Sequence, residues 1–203
     1  MTRIKICGIT NVVDALEAVK CGADALGLVF ASSPRKISPP HAADIIRNIA
    51  PFVFIVGVFV NERKETIERL IDLCGLHAVQ LHGDETPQFC RKLRKKTKVI
   101  KAFYIKDKFS LRIIEEYDVD GYLLDSFSGG SGRTFNWDIA LKAKRILKEK
   151  PLILSGGLNS CNIKEAIRKI RPYAVDVSTG VEKYPGRKDP RLLRRFIEMV
   201  REI

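Results

Sequence analysis

The chain lacks the marks of several large protein classes. It has only five cysteines in 203 residues, at positions 7, 21, 74, 90 and 161. An odd count, wide spacing and no CxxC pair argue against a disulfide framework and against a zinc site. Reduced thiols and a cytoplasmic location are the expectation. Long apolar runs are also missing. The longest, from Pro51 to Val60, is of strand length and contains Gly57, so neither a membrane span nor a secretory leader is expected. No GxGxxG turn signals a dinucleotide site. No linker or shift of composition divides the chain, which therefore reads as one domain over residues 1–203.

Acidic residues are fewer than basic ones, 24 against 36, and the formal net charge is +12. Such a balance suits nucleic acid, a small anionic substrate, or a solvated surface rich in lysine. The cations are spread along helical stretches such as Arg91-Lys92-Leu93-Arg94-Lys95-Lys96 and Lys142-Ala143-Lys144-Arg145, without interleaved aromatics. No nucleic-acid motif accompanies them, so a nucleic-acid partner is not expected.

What is present is alternation. Strand-like runs fall at 3–7, 24–30, 53–60, 78–82, 98–103, 120–125, 151–155 and 174–179. Helical patterns lie between them. Ile67, Leu70, Ile71 and Cys74 repeat at i, i+3, i+4, i+7, as do Ile163, Ala166, Ile167 and Ile170. Ser38-Pro39, Thr86-Pro87 and Asp189-Pro190 each read as a cap followed by proline at the first helical position. Asn11, with Asp14 three residues on, reads as another start. Eight strand–helix units predict a (β/α)8 barrel, an α/β fold of TIM-barrel type. A doubly wound open sheet is the competitor.

In a barrel, strand parity sorts the side chains. Polar residues within strands are expected to face the interior: Lys5, Cys7, Gln80, His82, Lys101, Asp125, Asp176 and Ser178. Buried charges need partners, and the first and last strands are neighbours, so Lys5 and Asp176 are expected to pair. Residues at the C-terminal ends of strands are the functional candidates, namely Cys7, His82, Asp125 and Ser178.

Two loops suit an anion. Ser155-Gly156-Gly157-Leu158-Asn159 ends the seventh strand and reads as opening a helix; Ser178-Thr179-Gly180-Val181-Glu182 ends the eighth. Glycine lets backbone N–H groups approach an anion, and loops after strands 7 and 8 form the usual phosphate site of this fold. Gly156, Gly157, Ser178 and Gly180 are the expected phosphate contacts. Gly129-Gly130-Ser131-Gly132 is either a lid, a further donor or a plain linker. Arg35, in the loop after strand 2, is a candidate to bind a carboxylate.

These segments together resemble the phosphoribosylanthranilate isomerase family. The similarity rests on Lys5-Ile6-Cys7-Gly8-Ile9-Thr10, Ser33-Pro34-Arg35, Gly57-Val58-Phe59-Val60-Asn61 and Val79-Gln80-Leu81-His82-Gly83. It continues through Leu124-Asp125, Gly129-Gly130-Ser131-Gly132, Thr134-Phe135, Leu154-Ser155-Gly156-Gly157-Leu158 and Val175-Asp176-Val177-Ser178-Thr179-Gly180-Val181-Glu182. It runs in order through essentially the whole chain. The resemblance implies an Amadori rearrangement in tryptophan biosynthesis. N-(5-phosphoribosyl)anthranilate becomes 1-(2-carboxyphenylamino)-1-deoxyribulose 5-phosphate, with Cys7 as general base, Asp125 as general acid and Arg35 on the anthranilate carboxylate. No metal or organic cofactor is implied, because an iminium formed on the substrate acidifies the proton to be removed. His82 is expected at the substrate site, directly or by orienting a loop. The implied partner is a phosphorylated small molecule, with the chain a monomer or a homodimer. Indole-glycerol-phosphate synthase and a histidine-pathway isomerase are the neighbouring alternatives. The first would require Lys and Glu at strand ends, and the second Asp where Cys7 stands.

Overall fold

The computed structural model describes residues 1–105, 111–126 and 136–203. Eight strands form a closed barrel in sequence order. They are β1 (Arg3–Cys7), β2 (Ala25–Val29), β3 (Phe54–Phe59), β4 (Ala78–Leu81), β5 (Lys98–Ile105), β6 (Gly121–Ser126), β7 (Leu152–Leu154) and β8 (Ala174–Val177). Every neighbouring pair, including β1 with β8, is parallel. Helices α1 (Val12–Cys21), α2 (Pro39–Asn48), α3 (Lys64–Cys74), α4 (Pro87–Arg94), α5 (Arg112–Glu115), α6 (Trp137–Leu147), α7 (Ile163–Ile170) and α8 (Pro190–Arg201) alternate with them.

The helix starts follow from local chemistry. Ser38, Thr86 and Asp189 accept hydrogen bonds from backbone N–H groups of the first turn, and each is followed by proline, which has no N–H to leave unpaired. Asn11 caps α1 through the amide of Asp14. Asp14 does not close a capping box in return. Its carboxylate is buried and accepts from the amide of Lys188, 2.8 Å away. A partner so far along the chain leaves no local trace in sequence.

Strand parity divides the core. Ile4, Ile6, Leu26, Leu28, Val79, Leu81, Leu124 and Val175 face outward and pack under the helices. Val56, Ala78, Ile100, Ala102, Leu123, Ile153 and Ala174 fill the barrel axis. Each fully buried Val, Leu or Ile among them contributes roughly 1.5–3 kcal/mol.

Lys101 departs from expectation. Its strand neighbours Ile100 and Ala102 occupy the axis, so parity sends Lys101 outward. The ammonium is still buried. It donates to the carbonyls of Gly83 and Ala102 at 2.7 and 2.8 Å and lies 3.2 Å from Glu85. A buried lysine in a strand thus marks a partner, not a face.

One further expectation is corrected at the loops. The segment after β7 does not pass directly into a helix: α7 begins only at Ile163. Asn159 and Asn162 brace the intervening turn by donating to the carbonyl of Gly157. After β8 comes one 3-10 turn, Thr179–Val181, then a hairpin of β9 (Glu182–Tyr184) and β10 (Arg187–Lys188). Pro185-Gly186, between the two strands, is its sequence signal. Cys74 and Cys90 are buried as packing residues and Cys21 is half-buried, but Cys161 is exposed. The Gly129–Gly132 run and Thr134-Phe135 lie outside the described residues.

Candidate active site

A cavity of about 360 Å³ opens at the C-terminal ends of the strands. It brings together Cys7, Arg35, His82, Asp125, Gly156, Gly157, Ser178 and Gly180, every candidate drawn from the sequence. Its wall is chemically divided. Cys7, Val29 and Val58 form an apolar cluster on the β1–β3 side, with Ala31 against it. The β7 and β8 loops supply the polar side.

Cys7 ends β1 and is buried. Gly27 stands beside it on β2, where a Cβ would come within 2.7 Å of the Cys7 sulfur and 3.0 Å of Lys5 Nζ. The missing side chain makes room for both. Lys5 donates to Asp176 at 2.8 Å across the β1–β8 seam, in register with it. Burial opposes the charge of Lys5, but Asp176 and Cys7 together more than offset this and hold the ammonium above its ordinary pKa. Burial likewise pushes the Cys7 thiol up; Lys5 and Lys188 pull it down without cancelling the effect. The depth of the thiol thus outweighs the cations around it.

Arg35 crosses the end of β1. Gly8 permits this by its positive φ of 76° and its missing Cβ, which would stand 2.5 Å from Arg35 Cδ. One edge of the guanidinium is already engaged. Nε and Nη2 donate to the two oxygens of Glu182 at 2.8 and 2.6 Å, and Nη2 also reaches Thr179 at 3.3 Å. The side chain keeps 14% exposure and lines the cavity. Glu182 also accepts from Lys188 at 2.9 Å. Lys188 in turn donates to the carbonyls of Cys7 and Ser178 at 2.6 and 3.3 Å. Sequence reasoning missed Lys188 and gave no role to Glu182; both sit on the unforeseen hairpin.

Asp125 stands near the end of β6. Oδ1 accepts from the amide of Ser126 at 2.8 Å, and Oδ2 lies 3.3 Å from His82 Nε2. His82 Nδ1 is 2.8 Å from the Gln80 amide nitrogen, and its ring stacks at a tilt on Tyr104, 5.0 Å between centroids. Gly156, at φ 84°, has no room for a side chain: a Cβ would lie 2.5 Å from the Ser126 amide and 3.0 Å from Asp125 Oδ1. Gly180 is needed for another reason. Its Cβ would fall 2.0 Å from the Leu158 carbonyl oxygen, so the β7 and β8 loops touch backbone to backbone.

The anion-binding features are unsatisfied groups. Among the described residues, the amides of Gly156 and Gly157 donate to no acceptor. Ser178 Oγ is buried without a partner. A buried hydroxyl lacking a partner is costly and points to a ligand. No cluster of three metal-ligating side chains occurs among the described residues, and none of their helices is long and apolar enough to cross a membrane.

A (β/α)8-barrel enzyme with its polar groups gathered at the C-terminal mouth is the class that fold and site define. Residues 4–199 match the family model of N-(5'phosphoribosyl)anthranilate (PRA) isomerase. An N-(5'-phosphoribosyl)anthranilate isomerase of Geotalea uraniireducens is 52% identical, over 98% of each chain. The crystal structure of phosphoribosyl anthranilate isomerase from Thermotoga maritima is 45% identical over 100% of both chains, with a TM-score of 0.90. Another solved phosphoribosyl anthranilate isomerase, in complex with reduced 1-(o-carboxyphenylamino)-1-deoxyribulose 5-phosphate, is 43% identical over 100% of both chains, with a TM-score of 0.88. The chain belongs to the N-(5'-phosphoribosyl)anthranilate isomerase family.

Proposed function

We propose that this chain carries out the Amadori rearrangement of N-(5'-phosphoribosyl)anthranilate with Cys7 as general base and Asp125 as general acid. The observation that carries the assignment is the single cavity in which a thiol, a carboxylic acid and two unsatisfied glycine amides converge. The phosphate lies on the amides of Gly156 and Gly157 and on Ser178, with Gly180 holding the two loops together. The anthranilate ring lies on the Val29–Val58 side, its carboxylate toward the free edge of Arg35.

Asp125 gives its proton to the furanose ring oxygen. The bond from that oxygen to C1 breaks and the nitrogen lone pair forms an iminium. Cys7 then takes the C2 proton, and the electron pair moves into the C1–C2 bond, giving a neutral enolamine. C1 gains a proton and the C2 hydroxyl loses one, leaving the ketone. No oxidant or reductant enters this balance. The iminium also answers the raised pKa of Cys7: a cation arriving beside the sulfur favours the thiolate that burial disfavours. In the cell this chemistry suits the reducing cytoplasm, where the thiol persists.

Cys7→Ser and Asp125→Asn test the assignment. Each is nearly isosteric, so both variants are expected to fold. Each is expected to lose at least about a hundredfold in kcat, the low end for a general acid or base. The assay is loss of phosphoribosylanthranilate fluorescence without added metal or nucleotide. Near wild-type kcat in either folded variant sinks the two-residue mechanism.

A further inference from the structure

Gln80 is wholly buried, yet one of its two polar atoms, Oε1, has no partner. Its amide nitrogen lies 2.8 Å from His82 Nδ1. An amide nitrogen only donates, so Nδ1 is the acceptor in this contact. This orientation of the amide puts the ring proton on Nε2, the atom 3.3 Å from Asp125 Oδ2. At rest the N–H is not aligned on the carboxyl: Nε2 is buried and makes no hydrogen bond. Glu85 anchors the loop behind this pair, accepting from the amides of Gly83 and Asn61 and pairing with Lys101. Tyr104 stacks against the ring on the other side.

We infer that Gln80 and His82 are positioning residues for the acid step, Gln80 holding His82 in the Nε2–H tautomer so that it donates to the Asp125 carboxylate formed when the acid gives up its proton. This deepens the reading of Asp125 as the general acid and rests on it. The benefit comes from timing. A protonated Asp125 needs no second donor, but the carboxylate does. With Ser126 N–H already on Oδ1, His82 supplies the donor for Oδ2. An interaction that strengthens only as charge develops lowers the barrier without tightening substrate binding. The unaligned resting contact is what such an arrangement looks like before the substrate reacts. The orphaned Oε1 is the cost of the choice: turned over, the amide would satisfy that oxygen through an Nδ1–H and leave Nε2 facing Asp125 without a proton.

The first measurement is the tautomer itself, by long-range 1H–15N correlation on wild-type protein labelled at histidine. The chain has three histidines, and His82→Asn identifies the relevant signal. The Nε2–H form is expected at neutral pH; a neutral ring protonated at Nδ1 overturns the proposal, whatever the variants do. The second measurement is kinetic. Gln80→Glu keeps the size but removes the donor, and is expected to put a proton on Nδ1. Gln80→Met removes the donor without adding charge. Each of these, and His82→Asn, is expected to lower kcat by about tenfold or more, below the roughly hundredfold lost with a donor aligned on a developing oxyanion. KM is expected to stay within about twofold, because the effect falls on the transition state alone. In an Asp125→Asn background the His82→Asn loss is expected to vanish, since both act through one group. Raised KM with unchanged kcat, or full additivity in the double variant, overturns the proposal. Failure of the acid assignment reads differently: Asp125→Asn keeps its activity while the tautomer stays as expected.

Discussion

At the scale of single residues, charge balance around the mouth turns on Glu182. Its side chain is only 2% exposed and takes both Arg35 and Lys188. Burial alone would raise its pKa; the hydrogen bond from Arg35 and the Lys188 ammonium outweigh burial and hold it below the ordinary range. A carboxyl with a lowered folded-state pKa adds stability above its unfolded value of about 4.3, and that stability is lost as pH falls through the folded value. Glu182→Gln is therefore expected to cost about 3 kcal/mol near neutral pH, the lower end for breaking a buried pair. The gap from wild type should narrow below about pH 4. Urea unfolding across that range measures it. A gap independent of pH would show that packing, not the ion pair, carries the loss. Arg35 has a second consequence. One edge serves Glu182, so Arg35→Lys should weaken both the hairpin and substrate binding. An analogue lacking the carboxylate should lose almost nothing further in that variant. Equal weakening of both ligands would confine Arg35 to supporting the hairpin.

At the scale of elements, strands and capped helices were legible because their signals are local. Proline after Ser38, Thr86 and Asp189 marks three helix starts, and apolar parity marks the strands. What stayed hidden was set by contacts distant in sequence. Lys101 looked like an inward residue because its partner Glu85 lies on another loop. Asp14 looked like half of a capping box because Lys188 lies on the far hairpin. The glycines show the same division. Gly75 ends α3 at φ 70° with open space around it. Gly180 has no such backbone demand but meets Leu158. Gly75→Ala is thus expected to cost about 1–2 kcal/mol of stability, the penalty of left-handed backbone, with unchanged KM. Gly180→Ala must push the β7 and β8 loops apart and is expected to raise KM by about tenfold, the equivalent of one hydrogen bond to a charged ligand. Steady-state kinetics beside thermal unfolding separates the two. Unchanged KM in Gly180→Ala would remove the loop contact from the phosphate site.

At the scale of the whole molecule, closure joins stability to chemistry at one seam. β1 meets β8, and at that junction Lys5 faces Asp176 with both side chains almost fully buried. Ser155 on the neighbouring loop adds a 3.4 Å contact to the other oxygen of Asp176. The pairing was foreseeable from sequence because a closed barrel makes its first and last strands neighbours. Its coupling to the thiol was not, because the sign depends on depth. Removing Lys5 alone leaves a buried carboxylate without its counter-ion, so Lys5→Met is expected to cost about 3–5 kcal/mol. Replacing both partners, as Lys5→Met with Asp176→Leu, removes both desolvation costs and should restore most of that stability. Chemistry should not recover in parallel. Lys5 pulls the Cys7 pKa down more than Asp176 pushes it up. Without the pair the thiol therefore rises further, and the alkaline-rising limb of kcat/KM shifts to higher pH. The sign is fixed: a raised thiol pKa means less thiolate at every pH below it. Chemical denaturation and a kcat/KM profile on the same double variant test both halves. Recovered stability with an unmoved profile would separate the seam from the base. A displaced profile with recovered stability would place the field that tunes Cys7 in the pair that closes the barrel.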